Sequence, residues 1–279
     1  CAITAWMAGK NCGMESSSLY IGTRMDILFL LLGLGILIVG GEFLVRGAVG
    51  LSSAFKISPM IIGLTVVSFG TSAPELLVSI QSAMAGNPGI AIGNVIGSNI
   101  ANIAFILGIT VIICPIIAEK QTKMLDYPVM IFATLLFYVL ALNLTIGFWE
   151  GFALVILLLL FVYYLIHKTR KENKIAKVIK EEEPIIDPEV KPVSLKLSIM
   201  FLVLGLVGLY FGSEWFVGGA VGIAKALELS DSVIGVTVVA IGTSAPELVA
   251  SIMAAIKKQS DISVGNLVGS NIFNVFAVL

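Results

Sequence analysis

Charge is scarce in this sequence. Asp, Glu, Lys and Arg make up 13% of its 279 residues, against about 25% in soluble domains. Basic and acidic residues nearly cancel, 17 against 18, so no net charge draws the chain to a nucleic acid or another polyanion. There is one histidine, His167, beside Lys168 at the end of an apolar run. It reads as an interfacial residue rather than a proton relay. The three cysteines, Cys1, Cys12 and Cys114, have no paired spacing, so neither a disulfide framework nor a thiolate metal motif is present. What fills the sequence is apolar, 58% of it. A soluble fold would carry much of that on its surface and aggregate. An ordinary globular enzyme, a disordered chain and a nucleic-acid binder are thereby excluded, and a polytopic membrane protein remains.

A spanning helix needs about 20 mostly apolar residues. Eight such segments are legible, at 27–50, 58–84, 89–117, 126–143, 148–167, 196–220, 230–256 and 262–279. Residues 1–24 lack a basic-then-apolar signal pattern and read as an N-terminal extension outside the core, with Met25 the expected start. The one long polar stretch, 168–195, holds Lys168, Arg170, Lys171, Lys174, Lys177, Lys180 and Lys191. It also holds the acidic run Glu181-Glu182-Glu183, and Pro184, Pro188 and Pro192 discourage a continuous helix there. It reads as a solvated linker. Basic loops face the cytoplasm. If the linker is cytoplasmic, the loops at Lys56, Lys120/Lys123 and Lys257/Lys258 fall on the same side. The loops near Asn87 and Asn143, with no basic residue, and the one near Lys225 fall on the other, which puts the start of the first helix outside.

An internal repeat sets the architecture. Gly70-Thr71-Ser72-Ala73-Pro74-Glu75 recurs as Gly242-Thr243-Ser244-Ala245-Pro246-Glu247, 172 residues later. At the same offset Gly93-Asn94-Val95-Ile96-Gly97-Ser98-Asn99-Ile100 recurs as Gly265-Asn266-Leu267-Val268-Gly269-Ser270-Asn271-Ile272. Glu42 and Glu214 match too, as do Gly47-Ala48-Val49-Gly50 and Gly219-Ala220-Val221-Gly222. One period holds five spanning segments. Five is odd, so the second copy enters the membrane from the opposite side, a common transporter build with the substrate site near the midplane. The expected fold is all-α and polytopic, with two inverted-topology five-helix repeats over 25–167 and 196–279. The second is truncated: the partners of 126–143 and 148–167 would lie beyond Leu279, giving ten helices and about 340 residues in the intact protein.

Glu75 and Glu247 sit in the middle of apolar segments. An acid at a helix centre costs about 2.5–3.5 kcal/mol on insertion scales, and neither motif contains a Lys or Arg to offset that. A bound cation or a proton is the simplest compensation. Pro74 and Pro246 remove helix hydrogen bonds to the carbonyls of Gly70 and Gly242, and those glycines ease a helix break. Thr71, Ser72, Thr243 and Ser244 add hydroxyls in the same turn. Asn94, Ser98 and Asn102 share a helix face, as do Asn266, Ser270 and Asn274. Gly93/Gly97 and Gly265/Gly269 form adjacent strips for close helix approach. Such oxygens suit hard cations such as Ca²⁺ and Na⁺, and with no His or Cys nearby zinc and copper are disfavoured. Glu42 and Glu214 read as interfacial or structural. Arg46 stands one turn from Glu42, whereas Gly218 holds the equivalent place after Glu214.

These residues bear a resemblance. The two copies of G-T-S-A-P-E, each followed by G-N-x-x-G-S-N-I-x-N, resemble the α-repeats of the sodium/calcium exchanger family, over about Met25 to Leu279. The resemblance implies ten helices and exchange of Ca²⁺ for Na⁺ by alternating access, with no enzyme activity and no cofactor. The implied ion ligands are Thr71, Ser72, Glu75, Ser98 and Asn102 in the first repeat. In the second they are Thr243, Ser244, Glu247, Ser270 and Asn274, with the backbone carbonyls of Ser68 and Ala240. Some family members have Asp where Asn274 stands, which is tied to K⁺ binding, so K⁺ dependence is not implied here. The expected location is the plasma (inner) membrane of a prokaryote. The rival on the same fold is a Ca²⁺/H⁺ antiporter. A cation channel would want a selectivity-filter loop and a membrane enzyme would want a nucleophile or metal cluster, and neither is found.

Overall fold

In a bilayer every backbone polar group has to be satisfied within the protein, so the apolar runs close into helices. The computed structural model describes residues 12–116, 120–143, 145–179, 194–230 and 240–279. Side chains are described from Arg24 onward, except at 170, 172–179, 240 and 241. Helix α1 is Cys12–Phe55. Helices α2, Pro59–Thr71, and α3, Ala73–Met84, are two arms of one span bent by 43°. Then come α4, Pro88–Ile113, α5, Thr122–Asn143, and α6, Phe148–Ile179. Helix α7, Leu195–Ala226, starts on a Ser194 cap whose hydroxyl accepts from the Leu197 N–H at 3.3 Å. Helices α8, Ala240–Thr243, and α9, Ala245–Ile256, repeat the break between α2 and α3. Helix α10, Ser260–Phe273, runs on into a π-helical turn, Asn274–Val278.

The repeat reaches into the turns. Among the described residues positive φ occurs at Lys56 and Glu228 and at Gly86 and Lys258. Both pairs are 172 residues apart. Each ends a helix in the left-handed conformation that satisfies its last carbonyls. At the first pair no side chain relieves the strain by being glycine, so the turn geometry there is imposed by the fold.

Packing follows from small residues. Gly33, Gly40 and Gly47 lie at seven-residue intervals on α1, and Gly205, Gly212 and Gly219 are their counterparts on α7. A Cβ on Gly40 would stand 2.8 Å from the Leu209 nitrogen, and one on Gly212 would stand 2.8 Å from the Leu37 nitrogen. The two helices therefore meet backbone to backbone, and Leu37, Leu44, Val45, Leu202 and Leu209 are buried around the seam. Helix α10 crosses α2 as closely: a Cβ on Gly265 would come 2.6 Å from the Met60 carbonyl, and one on Gly269 2.6 Å from that of Leu64. This is the close approach expected of that glycine strip. Large apolar side chains point outward instead, Leu31, Leu135 and Leu159 each being 59% exposed, as lipid-facing residues must.

Five described helices are long and apolar enough to cross a membrane, and the bent pair α2–α3 makes a sixth. The chain is an integral membrane protein built of two inverted repeats. Helix α6 continues past the expected end at 167 as far as Ile179. Lys and Glu are good helix formers and the first proline of the expected 168–195 linker comes only at 184, so nothing stops the helix at the membrane edge. Residues 180–193 of that linker, 231–239 of the expected 230–256 span and 1–11 of the N-terminal extension lie outside the described residues.

Candidate functional site

The two breaks are alike in detail. Ser72 has φ −85° and ψ 7°, and Ser244 has φ −88° and ψ 8°. Pro74 and Pro246 sit in the first turn of α3 and α9, where a missing N–H does no harm. The helix restarts there rather than continuing. The bend thus falls on the serine, not on the glycine two residues before it. Gly70 and Gly242 serve packing instead: a Cβ on either would run into α7, at Leu206 and Val217 respectively. Pro246 withholds the N–H that would bond the Gly242 carbonyl, and the Ser213 hydroxyl of α7 donates to that carbonyl at 2.8 Å. The equivalent of Ser213 is Gly41, which has no hydroxyl to offer Gly70.

Both carboxylates are buried, Glu75 and Glu247 at 1% exposure each. The Ser72 hydroxyl donates to Glu247 Oε1 at 2.9 Å, so the break of one repeat holds the acid of the other. The Thr71 hydroxyl donates to Asn266 Oδ1 at 3.0 Å. Asn94 Nδ2 donates to the Glu75 carbonyl and the Ser79 hydroxyl, both at 3.0 Å. Asn266 Nδ2 repeats this toward the Glu247 carbonyl at 3.5 Å and Ser251 at 3.0 Å. The described ion pairs leave both acids without a basic partner.

What stays unbonded is concentrated on the expected ligands. Both carboxylate oxygens of Glu75, Glu247 Oε2, the hydroxyls of Ser244 and Ser270, and Oδ1 of Asn102 and Asn274 are buried with no hydrogen-bond partner. Native interiors leave few such groups, and each costs about 1–3 kcal/mol. Of the other expected ligands, Ser98 is buried and Thr243 is half-buried. The Ser68 carbonyl already accepts the Ser72 N–H at 3.0 Å, and Ala240 opens α8. Asn102 and Asn274 both sit at π-helical turns, Ala101–Ile106 and Asn274–Val278, a distortion common at functional positions. Among the described residues no group of three or more His, Cys, Asp or Glu side chains could hold a metal. The site consists of two carboxylates and neutral oxygens, a donor set for a hard cation. A cavity of about 150 Å³ lined by Ala101, Phe105, Ile106, Ser244 and Leu248 lies beside the second break.

Further polar contacts surround these residues. Asn99 and Asn271 bond across the repeats, and their duplication was the signal for them. Glu42 accepts from Arg46 Nε at 2.5 Å, as its spacing implied, and also pairs with Lys257 at the end of α9 at 2.8 Å. Glu214 is exposed, and Gly218 and Ala85 stand where its partners would be.

The chain is similar in sequence and fold to known proteins. The sequence model of the sodium/calcium exchanger protein family matches residues 25–167 and 197–279. A putative antiporter CaxA of Alkalimonas amylolytica is 39% identical over 256 residues, 90% of this chain and 78% of that protein. Sodium/calcium exchanger MaX1 of Methanosarcina acetivorans is 32% identical over 285 residues, 91% of this chain and 81% of its own length. The solved structure of the sodium-calcium exchanger NCX_Mj superposes with a TM-score of 0.78 at 34% identity, covering 92% of this chain and 80% of that one. With its duplicated motifs and inverted repeats, the chain belongs to the sodium/calcium exchanger family of membrane antiporters.

Proposed function

We propose that this protein exchanges Ca²⁺ for Na⁺ at the crossing of the two broken spans. The observation that carries the reading is the set of seven buried, unpartnered oxygens around Glu75 and Glu247. Ca²⁺ takes six to eight oxygen ligands, and two carboxylates neutralise one Ca²⁺. Glu75 and Glu247 bridge the ion. Thr71, Ser72, Ser98 and Asn102, with Thr243, Ser244, Ser270 and Asn274, complete overlapping Ca²⁺ and Na⁺ positions, together with the carbonyls of Ser68 and Ala240. No cofactor takes part.

Coupling follows from charge. Two bare carboxylates resist a dry, closed state because their desolvation is uncompensated. A site holding Ca²⁺, or Na⁺ in its place, closes readily. Each closure therefore carries an ion, and alternating access comes from one helix group moving against the other. The linker at 168–195 faces the cytoplasm and the start of α1 faces outside.

The test is ⁴⁵Ca²⁺ uptake into proteoliposomes under an outward Na⁺ gradient, with a pH gradient and no gradient as controls. Uptake driven by Na⁺ is expected, and Glu75→Gln abolishes it while the protein still inserts. Normal exchange by that variant would remove Glu75 from the site. Uptake driven by the pH gradient alone would transfer the coupling to H⁺.

A further inference from the structure

Four asparagines at the crossing of α4 and α10 bond in a pattern that a packing role does not require. Asn102 Nδ2 donates to Asn271 Oδ1 at 3.1 Å. Asn274 Nδ2 donates to Asn99 Oδ1, also at 3.1 Å. The repeat offset turns Asn102 into Asn274 and Asn99 into Asn271, so each bond is the image of the other and each crosses between repeats. Asn99 is held in turn by its Nδ2, which donates to the Asn271 carbonyl at 3.3 Å. Asn271 Nδ2 points to the Met130 sulfur at 3.5 Å.

A side-chain amide has an acceptor end and a donor end of nearly equal shape. Rotated by half a turn, Asn102 or Asn274 would present an NH₂ group to a cation in place of an oxygen. Fixing the NH₂ on an acceptor fixes the oxygen on the opposite side. In both residues that oxygen is buried and has no partner. We infer that Asn99 and Asn271 are positioning residues for the ion site. Each pins the amide of the other repeat's asparagine so that its oxygen, not its NH₂, faces the ion. This rests on the ion-site reading above. It makes each half of the site depend on a residue contributed by the opposite repeat.

The dependence is crossed, and that makes it testable. Ca²⁺ affinity is measured by equilibrium ⁴⁵Ca²⁺ binding to the purified protein in detergent. Asn99→Ala is expected to weaken binding about 10- to 100-fold, as loss of an orienting outer partner does at metal sites. The double variant with Asn274→Ala should be no weaker than Asn274→Ala alone, within about threefold. Combined with Asn102→Ala on its own helix, Asn99→Ala should show the weaker coupling of the two, because Asn99 and Asn102 are linked only through Asn271. The mirror cycle, Asn271→Ala with Asn102→Ala and with Asn274→Ala, reads the same proposal if Asn99→Ala is not recovered folded. Asn99→Asp keeps the acceptor and should retain binding. Multiplied losses for Asn99 with Asn274, or a stronger coupling to Asn102 than to Asn274, would overturn the assignment, as would equal loss in Asn99→Asp and Asn99→Ala. A wild type that binds no Ca²⁺ would overturn the proposed function itself, a different result from an additive cycle on a protein that binds.

Discussion

Ser72 and Ser244 hold equivalent places with nearly equal backbone angles, yet Ser72 donates to the opposite carboxylate at 2.9 Å while Ser244 faces Glu75 without closing the matching bond. Ser244 Oγ and both oxygens of Glu75 are left without partners. The two halves of the proposed site are thus unequal in their hydrogen bonds: one oxygen of Glu247 is held by the opposite repeat, whereas Glu247 Oε2 and both oxygens of Glu75 are not. A hydrogen bond to a charged group is worth about 1.5–3 kcal/mol. Ser72→Ala is therefore expected to weaken Ca²⁺ binding about 10-fold or more, read by equilibrium ⁴⁵Ca²⁺ binding. An unchanged affinity would mean that the serine is a backbone hinge and nothing else.

At the scale of the element, the prolines make the break and other residues make it tolerable. The Gly242 carbonyl lost its helical donor to Pro246 and regained one from Ser213. Ser213→Ala leaves that carbonyl buried and unbonded, a cost of about 1–3 kcal/mol. It should lower the thermal unfolding midpoint in detergent while Gly41→Ser, at the equivalent place, need not raise it: a Cβ there already comes 2.9 Å from Val249 Cγ1. Equal midpoints for Ser213→Ala and wild type would show that water serves the carbonyl instead. These elements also mark what the sequence could and could not disclose. The breaks, both acids and the glycine strip on α10 were readable because duplication picked them out from an apolar background. Ser213 was not, since its counterpart is glycine, and neither was Lys257, whose counterpart is Ala85. Contacts between residues 29 or 215 positions apart exist only once the helices are packed. Helix α6 outruns its span, which ends at Thr169, for a different reason: the expected linker was marked by charge, and a charged sequence without proline remains a good helix.

For the whole molecule, the two repeats share a scaffold but not its charges. Glu42 ties α1 to the end of α9 through Lys257, and no counterpart exists at Glu214. Both members are partly exposed, at 30% and 24%, so the pair adds at most about 1 kcal/mol to stability. If α1 and α9 separate during the proposed alternating access, the pair biases the equilibrium toward the arrangement that makes it. Lys257→Met is expected to leave the unfolding midpoint nearly unchanged. It should alter the ratio of apparent Ca²⁺ affinities measured from the two sides of a vesicle, and the exchange Glu42→Lys with Lys257→Glu should restore that ratio. A ratio unaffected by Lys257→Met would make the pair ornamental.

The glycine seam between α1 and α7 has a consequence that reaches beyond the protein. Arg24–Phe55 and Leu195–Ala226 are 32 residues each, about 48 Å of helix, against a hydrocarbon core of about 30 Å. Helices that long must lean or emerge into the headgroups. Because their backbones meet at the glycines and buried leucines lock the seam around them, neither can lean without the other. The bilayer's thickness then acts on the pair as a single lever, and the acyl chain length of the surrounding lipid becomes one of the forces that sets its tilt.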